Sequence, residues 1–113
     1  MESSEVAVIL CTFPDATVAA EIGRKLLEAN LAACINVLPG ARSIFRWRGE
    51  ISEEQEAVAL IKTTRTRRSE LTTELVRLHP YDCPEVLTVA IAGGHQPYLD
   101  WVIESCGAHH AAG

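Results

Sequence analysis

The sequence predicts an α+β fold: four antiparallel strands, two main helices on one face of the sheet and a shorter helix closing the chain. Three observations carry that prediction. Apolar, β-rich runs at 6–11, 57–61 and 86–92 have the length and composition of strands buried on both faces. Two intervening segments place apolar residues at helical spacing, Val18, Ile22, Leu26 and Ala29 in the first, Leu71, Leu75 and Leu78 in the second. A further strand pattern over 31–38, resumed at 43–47, runs into the tight-turn pair Arg48-Gly49 and so forms one arm of a long hairpin.

Each boundary has a local signal. Phe13-Pro14-Asp15 ends the first strand, and Asp15 is suited to cap the helix that runs to Asn30. Pro39-Gly40 interrupts the second strand as a bulge or kink. From Ile51 the chain pairs back towards 57–61, with 52–56 as a solvated stretch. Thr66 or Ser69 can cap the second helix, which stops at His79-Pro80. Gly93-Gly94 closes the last strand, and Pro97 suits the first position of a short helix carrying Leu99, Val102 and Ile103, ended by Gly107. Strand, helix, strand, strand, helix, strand is the split βαβ order of ferredoxin-like folds, here with an added C-terminal helix. The expected organisation is an N-terminal tail at 1–5, one domain at 6–106 and a disordered tail at 107–113.

The same pattern predicts assembly. Hairpin arms of about 14 residues at about 3.3 Å each extend roughly 46 Å, well past the first strand. The overhang carries Ile44, Phe45, Trp47 and Ile51, an aggregation hazard unless another chain covers it. Two helices also cover only one side of a sheet, and an identical subunit is the economical cover for the other.

Composition bounds the function. The 113 residues carry a formal charge of −5, which argues against nucleic acid or an acidic membrane as the main partner. The start lacks a signal-like pattern and no apolar run approaches the roughly 20 residues of a membrane span, so the expected location is cytoplasmic. Cys11, Cys34, Cys83 and Cys106 include no C-x-x-C pair, which leaves no zinc ribbon or thioredoxin motif. Packing is the plain role for most of them.

The densest chemistry lies in Leu78-His79-Pro80-Tyr81-Asp82-Cys83-Pro84-Glu85, where two prolines impose a rigid loop. A Cys83–His79 hydrolase is disfavoured because Asp82 and Glu85 would raise the thiol pKa that a nucleophile needs lowered. RNA binding lacks an aromatic stacking platform on 57–64. A small-ligand sensor is the stronger alternative: Thr63-Thr64-Arg65-Thr66-Arg67-Arg68 offers hydroxyls, arginines and backbone N–H groups to an anion at a helix start. By analogy with trimeric signalling proteins of this architecture, Trp47, Lys62, Tyr81 and Glu85 are candidates to line a cleft between subunits.

Seven ordered blocks carry a resemblance: Leu10-Cys11-Thr12 with Pro14-Asp15; Leu31-Ala32-Ala33-Cys34-Ile35-Asn36; Leu38-Pro39-Gly40; Trp47-x-Gly49-x-Ile51; Ile61-Lys62-Thr63; His79-Pro80-Tyr81-x-x-Pro84-Glu85; and Tyr98-Leu99-Asp100-Trp101. Over nearly its whole length the chain resembles the CutA divalent-cation tolerance proteins. The resemblance implies a ferredoxin-like protomer in a homotrimer, with long hairpins pairing between subunits, non-enzymatic, and binding copper or another divalent metal. It places the family's proposed copper ligands on Cys11 and His79. Where some members have a second histidine this chain has Leu78, and Glu50 stands where a basic residue is common. A thiolate with an imidazole suits copper or zinc better than magnesium or calcium.

Overall fold

The structure, a computed structural model, describes residues 5–107. Its elements are β1 (Val6–Phe13), α1 (Ala16–Glu28), β2 (Cys34–Trp47), β3 (Glu50–Thr64), α2 (Arg68–Leu78), β4 (Val86–Ala90) and α3 (Gln96–Ser105). The strands form one antiparallel sheet in the order β2-β3-β1-β4, the ferredoxin-like arrangement expected from the element order.

Strand alternation sorts the sheet into two unequal faces. Ile9, Cys11 and Phe13 of β1 and Ala59 and Ile61 of β3 point to one side, each fully buried, against Ala19, Ile22 and Leu26 of α1 and Leu71 and Leu75 of α2. Asp15 fixes the start of α1, its carboxylate accepting the Val18 N–H at 2.8 Å. Gly23 lets α1 approach β2 closely: a Cβ there would lie 2.8 Å from the Ile35 side chain.

On the other side stand Val8, Leu10, Val58 and Leu60, only half-buried, with Leu87 at 54% and Val89 at 44% exposure. α3 covers only one end of this face, where Leu99 and Val102 pack with Val6. β4, expected to be buried on both faces, is largely exposed in a single protomer, where only Val86 is half-buried.

Trp47 and Glu50 pair across a two-residue turn in which Arg48 and Gly49 have φ of 52° and 83°. Two consecutive positive φ values give a turn whose twist matches the flanking strands. β1 pairs with β3 only from Ala57 to Thr64, so among the described residues the outer hairpin has no partner strand beyond its own two arms. Ile44, Phe45, Trp47 and Ile51 on it are all exposed, and the long axis of the protomer reaches 47 Å. The expected interruption is a bulge: the register jumps between Leu38 and Ala41, with Pro39 and Gly40 opposite Ala57. Proline needs no ladder bond there, and Gly40 takes a φ of 78°.

Several boundaries differ from the sequence expectation. β2 begins at Cys34 rather than residue 31, because Leu31 closes the end of α1 through its N–H to Leu26 O and accepts the Thr63 hydroxyl at 2.6 Å. Neither Thr66 nor Ser69 caps α2. The chain enters through a turn in which Thr64 Oγ1 accepts the Arg67 N–H, and Arg67 is already helical rather than extended. β4 ends at Ala90, since Ile91 leaves the sheet to pack beside Leu99 and Val102. Pro97 is the second residue of α3, after Gln96. Gly107 ends the described chain; the rest of the expected C-terminal tail, with His109 and His110, and residues 1–4 lie outside the described residues. Among the described residues no helix is long and apolar enough to cross a membrane.

Candidate functional site

α2 stops where Pro80 forbids another turn, and His79 is left in extended conformation with its N–H on Leu75 O. The imidazole folds inward, 7% exposed, and stacks on Phe13 with 4.9 Å between ring centroids. Its Nδ1 accepts the Tyr81 N–H at 3.1 Å, and its Nε2 lies 2.8 Å from the carbonyl oxygen of Thr12. A carbonyl oxygen only accepts, so Nε2 carries the proton and the ring is neutral.

Cys11 is fully buried next to this ring, and its thiol donates to the same Thr12 oxygen, 3.6 Å away. The two ligands expected from the resemblance therefore converge on one backbone atom, each with a proton in the way. Burial, and then the carboxylates of Glu85 and Glu56, push the Cys11 thiol up to about 12. Among the described residues no group of three or more His, Cys, Asp or Glu side chains is arranged to hold a metal ion. Leu78 packs against the core and adds no donor. The donor types fit a soft or borderline cation, while the protonation of the closed loop does not.

Tyr81 donates its hydroxyl to Glu56 Oε2 at 2.8 Å. Desolvation first, and Glu56 second, push its phenol up. Sequence reasoning missed Glu56, placing it in a solvated stretch. The signal was the Pro39-Gly40 interruption, because the bulge lies beside Ala41, the register partner of Glu56. A shallow cleft of about 180 Å³, lined by Pro14, Asp15, Pro39 and Gly40 among others, opens beside Glu56. Phe13 and the Thr12 carbonyl were also missed; no side-chain chemistry marks a backbone oxygen in a sequence.

The four residues expected to line an inter-subunit cleft do not meet within one protomer. Tyr81 and Glu85 stand near Cys11, but Trp47 is at the hairpin turn and Lys62 is far along β3, opposite Val8 and Cys34. Only further copies of the chain could bring them together. Glu50 is exposed at the same turn. Of the anion cradle expected at the start of α2, Arg67 is already engaged: it donates to Cys106 O and to Glu70, a carboxylate of the helix's own first turn. Cys83 and Asp82 are exposed. With both ring nitrogens of His79 engaged by backbone, that imidazole is not free to act as a base toward Cys83.

The family model described as CutA1 divalent ion tolerance protein matches residues 7–105. A divalent-cation tolerance protein CutA of Thermus thermophilus is 45% identical over 100 residues, covering 88% of this chain and 97% of that protein. One from Pectobacterium atrosepticum is 43% identical over 98 residues, covering 87% and 89%. The crystal structure of CutA from Xylella fastidiosa superposes with a TM-score of 0.89 at 40% identity, over 92% of this chain and all of that one.

Proposed function

Since the chain belongs to the CutA1 divalent ion tolerance family, we propose that it acts without catalysis, as a cytoplasmic homotrimer that binds divalent cations, copper among them, in the response to those ions. The observation that carries the metal reading is the convergence of Cys11 Sγ and His79 Nε2 on Thr12 O. Thiolate and imidazole are donors that favour copper or zinc over magnesium or calcium.

For these groups to donate, their protons must leave. Cys11 loses its thiol proton. His79 frees Nε2 only if Nδ1 takes a proton, which ends the Tyr81 N–H contact, so the loop after His79 must shift to admit an ion. Glu85, water or a partner copy would complete the ligand set. The bare sheet face and the exposed hairpin support the homotrimer, and four free thiols suit a reducing compartment.

Equilibrium dialysis against copper, comparing the native chain with Cys11→Ser and His79→Ala, tests the site. Both substitutions are expected to lower the bound stoichiometry; unchanged stoichiometry in both would sink it. Light scattering tests the trimer, and a monomer at micromolar concentration would overturn it.

A further inference from the structure

We propose that Lys62, with Asn36, forms a binding site for a small oxyanion, a carboxylate or phosphate, on the bare face of the sheet. Register places Lys62 opposite Cys34 on one side and Val8 on the other. Its side chain therefore rises from the same face as Val8 and Leu10, where it is half-buried. The ammonium donates to Asn36 Oδ1. Among the described residues no carboxylate pairs with it; the three ion pairs present are Arg42–Glu53, Arg67–Glu70 and Arg77–Glu74. Carboxylates are not scarce in this chain, which has 15 acidic residues against 10 Lys and Arg. A half-buried cation left with a neutral partner lacks a counter-charge that would offset its desolvation.

The surrounding groups are arranged to donate. An ammonium has three N–H donors and Asn36 engages one, so two remain with the full charge. The Asn36 amide turns its oxygen to Lys62, which leaves its NH₂ group for another acceptor. From α3, Tyr98 stands beside Cys34; burial first, and Cys34 second, push its phenol up. Cation and amide N–H suit a ligand with several acceptor oxygens, and charge-assisted bonds of this kind are the strong ones. A divalent cation is repelled here. The corner is thus distinct from Cys11 and His79, whose side chains lie on the helix-covered face.

This inference does not depend on the metal reading. If another copy covers the bare face, its carboxylate is the competing counter-charge, and the test separates the two. The full chain is melted at fixed pH and ionic strength while sodium chloride is replaced by sodium phosphate or sodium acetate, with light scattering on the same samples. The native protein and Lys62→Arg are expected to show a saturable rise in melting temperature. Lys62→Met should need about tenfold or more anion for the same rise. A rise with phosphate alone assigns the site to phosphates; a rise with acetate as well assigns it to carboxylates. Equal rises in the native protein and Lys62→Met, no rise in the native protein, or dissociation of Lys62→Met without any native anion response would overturn the proposal. Should Lys62→Met fail to fold, the exposed Asn36→Ala supplies the same comparison.

Discussion

His79 and Thr12 join the end of α2 to the end of β1 through one hydrogen bond, Nε2–H to the carbonyl oxygen at 2.8 Å. The ring also accepts the Tyr81 N–H and stacks on Phe13, so it closes a corner of the core as well as offering a nitrogen. Truncation leaves the Tyr81 N–H without its acceptor and the Thr12 carbonyl with only the Cys11 thiol, and it removes the stacked ring. His79→Ala is expected to destabilise the fold by about 2–4 kcal/mol, read as a lower urea midpoint at fixed protein concentration. A loss below about 0.5 kcal/mol, the level of an ordinary surface change, would show that the ring is not a structural link.

Cys11 sets a dependence on alkaline pH. Its thiol is held at about 12 against an ordinary 9.0, so the folded chain keeps a proton that the unfolded chain releases. Stability from this group is fully present below pH 9 and declines between pH 9 and about 12, by at most about 1.4 kcal/mol per pH unit. Tyr81, Tyr98 and Cys106 are also raised and act with the same sign. Cys11→Ala should therefore flatten the decline without abolishing it. Denaturation midpoints measured across that window check this, and parallel curves for the two proteins would contradict it.

Much of this architecture was legible because the signals were local. Asp15 could cap only the helix that follows it, Arg48-Gly49 fixed the turn of the hairpin, and the run from Val6 to Cys11 matched the central strand. Interactions across the sheet were not legible. That Glu56 would meet Tyr81, or that Cys11 and His79 would share the Thr12 oxygen, depends on how the loop after α2 folds back over β1. The family resemblance placed the donors on Cys11 and His79; their protonation came from backbone partners that residue types do not reveal. The capping of α2 went astray for a related reason: Thr66 and Ser69 have suitable side chains, but the turn from Thr64 to Arg67 had already set the helical backbone.

Gly23 tests the packing of α1 on β2. An added Cβ would meet Cγ2 and Cδ1 of Ile35, both at 2.8 Å. Alanine favours a helix over glycine by about 1 kcal/mol, yet overpacking of a tight contact costs about 1–3 kcal/mol. Gly23→Ala is therefore expected to destabilise despite its better propensity. Adding Ile35→Val, which removes the Cδ1 methyl, should recover part of the loss. A stabilised Gly23→Ala would mean that Ile35 moves aside freely.

Leu87 separates the behaviour of a protomer from that of an assembly. Its side chain is 54% exposed in the isolated chain, on the face shared with Leu10 and Val89. In a monomer, Leu87→Glu would resemble an ordinary surface change, within about 0.5 kcal/mol of neutral. If other copies cover that face, the same substitution buries an unpaired carboxylate, which an apolar contact does not tolerate. The expected outcome is a chain with native circular dichroism that no longer assembles at micromolar concentration by light scattering. Leu87→Met, which keeps volume and polarity, should assemble like the native protein. Unaltered assembly in Leu87→Glu would show that the bare face of β4 is not where the copies meet, and would leave the exposed hairpin residues Phe45 and Trp47 as the surface that joins them.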